Sequence, residues 1–218
     1  MDNLSDNFRV ASNYIHFLHG SVFFIMGITA AYVHVKEKKD QGKFRFISPL
    51  SFIIAGVLSF LVIIGVLGHW SLESAIVVMK IKPGFFIFMA LSCIFVSAGV
   101  SGVLFEADRG ANKFWGFFYW IFIIAIAALY AFMHTRVNSE ASLFVMTHHI
   151  AMAGTLTMAL IFKLTGIFTE KKVIKIFAIV FLLITSFQLL TYKENDNSFK
   201  RRVITVETGN TDISENPG

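Results

Sequence analysis

Six stretches of roughly 20 apolar residues, set apart by short charged segments, run through the chain, and each is long enough to cross the ~30 Å hydrocarbon core of a bilayer as a helix. Backbone N–H and C=O groups cannot go unsatisfied in lipid, so the charged breaks must lie outside it and the apolar stretches must bond internally. The predicted fold class is all-α: a polytopic membrane protein, a bundle of about six transmembrane helices at 14–34, 47–67, 85–105, 114–132, 143–164 and 173–192. Composition agrees, because 56% hydrophobic against 15% charged residues is the wrong proportion for a water-facing surface.

The breaks fall at 36–43, at Pro83-Gly84, at 106–110 and at 169–172, where charges, Pro or Gly end a span. The first apolar block is too long for a secretory signal and reads as a retained helix. Residues 71–82 form an amphipathic segment expected to lie along the membrane surface, with Val77, Val78 and Ile81 toward lipid and Lys80 and Lys82 outward. The chain therefore divides into a six-helix transmembrane domain, 1–192, and a flexible polar tail, 193–218.

The first, third and fifth loops and their flanks carry about ten Lys and Arg, against about four on the other side before the tail adds Lys193, Lys200, Arg201 and Arg202. That bias places these loops in the cytoplasm and both termini on the non-cytoplasmic side. The net charge of +5 suits anionic headgroups, and no nucleic-acid motif is present. The single cysteine, Cys93, excludes an internal disulfide and any Cys-based zinc or iron–sulfur site.

Imidazole is the main chemical resource. Of seven histidines, six (His16, His19, His69, His134, His148 and His149) lie at the helix ends nearest the termini and only His34 at the other. On a helical wheel, His16 and His19 share an arc of about 120° with Gly20, Gly27, Ala30 and Ala31, the small-residue face expected to meet other helices. His69 shares a face with Gly65, Ala55 and Ser51. His148 aligns with Ala151, Thr155 and Ala159, whereas His149 aligns with Leu156 and Leu160, so His148 is the expected inward residue. A pocket walled by His16, His19, His69 and His148, with His134 at its rim, follows.

Three chemistries suit such a pocket, beside the plain alternative of histidines that merely bond neighbouring helices or headgroups. The first is haem b between two imidazoles, in a small redox protein with a quinone or a partner protein supplying the other half-reaction. His19 and His148 are its favoured axial pair and His16 and His69 the alternates; Gly20 and Gly65 leave room for the macrocycle, and Arg9 and Arg136 lie on the side of its propionates. The second is a zinc or copper site drawn from His16, His19, His69 and His148, with His134, His149 and Glu73 in reserve. A hydrolase built on it would use His16, His69 and His148 with Glu73 as base, Glu140 being a poorer one. No Asp or Glu lies within a span, which disfavours that hydrolysis. The third is a non-enzymatic transporter, sensor or assembly subunit whose histidines respond to pH.

Two further features bear on the interior. The third span holds Ser92, Cys93, Ser97, Gly99, Ser101 and Gly102 and is expected to run through the centre of the bundle. Lys163, about a turn from the end of the fifth span, is expected to snorkel.

Overall fold

The computed structural model describes residues 2–35, 42–169, 171–195 and 198–199, without the side chains of 2, 3, 140 and 167. The charges at 36 to 41, the Glu140 side chain and the tail beyond 199 lie outside the described residues. Seven α-helices follow one another: α1 Asp2–Val35, α2 Ile47–Val62, α3 Leu72–Ile81, α4 Phe86–Ala107, α5 Lys113–Ala131, α6 Ser139–Thr169 and α7 Lys172–Thr191. All but α3 are long and apolar enough to span a membrane, so the expected six-helix membrane bundle is the observed fold class. Polar caps start two of the elements: the Ser71 hydroxyl accepts from the Ser74 N–H at 3.2 Å before α3, and the Asn112 carbonyl from the Phe114 N–H at 3.0 Å before α5.

The six long helices close into a ring in the order α1, α2, α4, α5, α6, α7 and back to α1. Each packs mainly on its two ring neighbours. Small residues make the sides of the helices: a Cβ on Gly56 would lie 2.7 Å from the Ser92 carbonyl oxygen, and one on Gly99 2.6 Å from that of Pro49, so α2 and α4 cross backbone to backbone. The polar face of α4 serves this crossing. Contrary to expectation, α4 is a member of the ring rather than its axis, and Cys93 is exposed.

Large residues fill the centre. Phe23, Phe52, Phe88, Phe95, Ile123 and Tyr130, from four different helices, are all essentially inaccessible. Bulky side chains such as Phe17, Phe24, Ile54, Phe117, Ile161 and Phe187 cover the outside, as lipid contact requires.

At the end of the ring that holds both termini, three short segments close over the core. A 3-10 turn, Pro83–Phe85, meets a second, Met133–Arg136, so closely that a Cβ on Gly84 would fall on the Arg136 backbone. The start of the polar tail completes the cover. Glu194 and Ser198 are buried, Phe199 packs on Phe8 and Phe85, and the Asn138 N–H donates to the Ser198 carbonyl at 2.9 Å. These first tail residues thus belong to the bundle, not to a free extension. α3 lies beside this end with Ala75 and Met79 buried, Val78 half-buried, and Val77, Lys80 and Ile81 exposed. Lys82, expected to face outward, instead donates to the Asn138 side chain at 2.6 Å.

Candidate functional site

Two imidazoles meet inside the ring. His16 on α1 and His149 on α6, both essentially inaccessible, face each other with Nε2 to Nε2 at 3.0 Å. The opposite nitrogen of each is held by its own helix: His16 Nδ1 lies 2.7 Å from the Ser12 carbonyl oxygen, and His149 Nδ1 2.8 Å from that of Val145. A carbonyl only accepts, so each Nδ1 must carry the proton, and each neutral ring then offers a bare Nε2 lone pair to the other. The chain carbonyl–imidazole–imidazole–carbonyl has three contacts, and two neutral imidazoles supply two protons. One further cation completes it.

A buried charge pair stands beside the rings. Arg136 and Glu194, both fully buried, form a hydrogen-bonded ion pair. The Ser12 hydroxyl accepts from the Arg136 guanidinium at 3.1 Å and donates to Glu194 at 3.0 Å, and the Glu194 N–H donates to the Asn13 side chain at 2.9 Å. The guanidinium also lies over the rings of Phe88 and Phe199, 5.0 and 5.6 Å from their centroids. Tyr192 bridges the two systems, its ring 4.7 Å from His16 and 4.9 Å from His149. Burial, and then the Glu194 carboxylate beside it, push the Tyr192 phenol above its ordinary pKa.

His19 is one turn deeper and fully occupied. Its Nδ1 is 3.1 Å from the Tyr130 hydroxyl, its Nε2 is 3.3 Å from that of Ser59, and its ring stacks on Phe95 at 4.1 Å. It ties α1 to α2 and α5 and has no free nitrogen.

The other candidates do not converge. His148 is exposed, bonds through Nδ1 to the Phe144 carbonyl and packs on Phe144 and Tyr192, so the inward residue of the pair is His149. The small seam of α6 that suggested otherwise faces a ring neighbour: Thr155 bonds Gln188 and Thr185 of α7, while Val145, Met152 and Leu156 fill the centre beneath His149. His69 is likewise exposed. α2 ends in a π-helical turn, Ile63–Leu67, and His69 and Trp70 then take left-handed conformations at φ 47° and 69°. That turn folds Trp70 over Gly65, filling the space expected for a macrocycle, and starts α3 as a new helix with Glu73 exposed. His134 is half-buried and bonds the Ala131 carbonyl.

Neither expected prosthetic group fits these residues as placed. His19 and His148 have no neighbour in common, and Arg9 and Arg136 bond Asp6 and Glu194, away from any propionate. Between His16 and His149 the gap is too short for iron, since two metal–nitrogen bonds of roughly 2 Å set the nitrogens about 4 Å apart across a macrocycle. No group of three or more metal-ligating side chains occurs among the described residues. Sequence reasoning misses the pairing of Arg136, expected on the side of the haem propionates, with Glu194, expected in the polar tail. Nothing in spacing marks them, because they meet only when the tail folds back. No protein-family model, curated protein or solved structure matches the chain.

Proposed function

We propose that this is a proton-responsive membrane protein of the transporter or sensor class, whose working group is the His16–His149 pair holding one exchangeable proton. The observation that carries the reading is the proton count: three contacts, two protons, and a separation of 3.0 Å that suits N–H···N. An ionisable cluster within a membrane bundle is a functional feature by default, because burying it has a cost that packing alone would avoid. The groups facing the pair set its response. Arg136 opposes a positive charge there, Glu194 offsets Arg136 by direct ion pairing with Ser12 bonded to both, the Tyr192 ring covers both imidazoles, and His19, His134 and His148 are the remaining titratable neighbours. The Lys and Arg bias supports placing this end on the non-cytoplasmic side, so that the pair samples the outer pH.

The test is nitrogen NMR on protein labelled at histidine in lipid nanodiscs, followed from pH 5 to 9, roughly the range open to imidazole. One ring pair is expected to gain a proton shared between two Nε2 atoms. In His149→Gln, whose side-chain amide donates to His16 without any added cation, that step should vanish while the other histidines keep theirs. Two neutral rings at every pH would overturn the reading. Stoichiometric zinc, copper or haem in the same preparation would overturn it too, in favour of a metal between the rings.

A further inference from the structure

The opposite end of the ring, where α1 joins α2, α4 joins α5 and α6 joins α7, holds a cavity of about 300 Å³ lined from five of the six long helices and from the 3-10 turn Gly42–Phe46 that precedes α2. Its walls are apolar, with Met26, Phe105 and Trp120 among them. Three charged side chains point into this space from separate elements: Arg45 from the 3-10 turn, Glu106 from the end of α4 and Lys163 from α6. Lys163 therefore turns toward the axis of the ring.

These charges sense one another without touching. Arg45 and Lys163 both act electrostatically on Glu106, yet neither forms a hydrogen bond or ion pair with it among the described residues. The Arg45 Nε is buried with no hydrogen-bond partner. Among the described residues, two cations and one carboxylate held apart around an apolar space leave one positive charge without a counter-ion, the Arg45 guanidinium lying 4.9 Å over the Phe46 ring instead, and a part-buried cation without a counter-ion is costly. A ligand with a single negative charge and an apolar body satisfies both the charge and the apolar walls. The volume sits at the small end of the range for small-molecule sites.

We infer that this cavity binds a small organic monoanion, a carboxylate or an equivalent anionic headgroup, with its charge between Lys163 and Arg45 and its apolar part against Met26, Phe105 and Trp120. Glu106 limits the site to one negative charge and disfavours dianions. The inference stands apart from the histidine pair, which is at the other end of the ring.

Trp120 supplies a native reporter. With the protein in phosphatidylcholine nanodiscs and Trp70 and Trp115 replaced by Phe, octanoate should change Trp120 fluorescence saturably, and octanol should bind about tenfold more weakly, the worth of one charge-assisted contact. Lys163→Met should weaken octanoate about tenfold and Lys163→Arg should restore it. Glu106→Gln should tighten octanoate and admit succinate, a gain that a misfolded variant does not show. Adding phosphatidylglycerol separates the sources of the anion: competition with octanoate means that a lipid headgroup also occupies the site, and absence of competition means a free anion alone; each outcome supports the anion site. Equal binding of octanoate and octanol, or octanoate binding indifferent to both Lys163→Met and Glu106→Gln, overturns it. His149→Gln should leave octanoate binding unchanged, so loss of the proton step and loss of the anion site are separately visible.

Discussion

The two ends of the ring handle charge in opposite ways. At the terminus end, Arg136 and Glu194 are fully buried, in contact, and bonded to Ser12 and Asn13. At the other end, Arg45, Glu106 and Lys163 surround a cavity of about 300 Å³ without pairing among the described residues. The first arrangement closes the core; the second leaves interaction energy for something else to take up. The difference follows from what covers each end. Two short turns and the returning tail bring Arg136 and Glu194 into contact at the terminus end and cover the pair. Charged groups inside a membrane protein point to function by default, and their state of pairing tells a closed charge pair from a space left for a ligand.

Matched substitutions at the two ends put that contrast to the sharpest test. Arg136→Met leaves Glu194 buried and alone, and breaking a fully buried pair costs about 3–5 kcal/mol. Thermal unfolding in detergent should show the loss, and the double variant Arg136→Met with Glu194→Met should recover most of it, because it removes both desolvated charges. Lys163→Met, an equally drastic change on paper, should be neutral or mildly stabilising, since it removes a part-buried cation that has no ion-pair partner among the described residues. Equal losses at both ends would erase the distinction.

Much of the fold is legible in the sequence, because span length and hydropathy are set by the thickness of the bilayer and need no tertiary information. Much of the site is not, and the histidines show why. The wheel argument takes small residues as the mark of the inward face, which holds where two helices cross. In a closed ring of six, the small residues go to the sides, where Gly20 and Gly27 of α1 meet Leu190 and Leu183 of α7, and volume goes to the centre. His149 follows the large residues of α6 inward, and His148 points out. His16 and His19 are read correctly as inward because on α1 the two faces adjoin. Ring closure, the left-handed turn at His69 and Trp70, and the return of Glu194 are long-range or backbone events with no periodic signature.

A smaller effect sharpens the account of the closed end. The Tyr192 phenol is held above its ordinary pKa by burial and by Glu194, so the folded state keeps that proton where the unfolded chain releases it. The stabilisation is fully present below the unfolded tyrosine value near 10 and is lost as pH rises beyond it. Melting temperatures should thus fall above about pH 10, and Tyr192→Phe should flatten part of that decline. An unchanged slope would mean that Tyr192 ionises freely and that the end is less closed than its hydrogen bonds imply.

The least change is expected where sequence reasoning placed the most chemistry. His148, His69 and Glu73 are exposed and lie outside the network that joins His16, His149, Arg136 and Glu194. His148→Ala, His69→Ala and Glu73→Gln should each stay within about 0.5 kcal/mol of the parent in thermal unfolding, as surface substitutions do. His69→Ala and Glu73→Gln should also leave the shared-proton NMR signal of the His16–His149 pair where it was, whereas His148→Ala removes a neighbour of His149 and should displace it slightly. His69→Gly is the informative extension: the φ of 47° is natural for glycine and strained for histidine, so relieving it should hold or raise stability if the turn alone fixes that residue. A loss with His69→Gly, or a displaced proton signal with His69→Ala or Glu73→Gln, would return these side chains to the site and move the boundary between the two ends outward to include them.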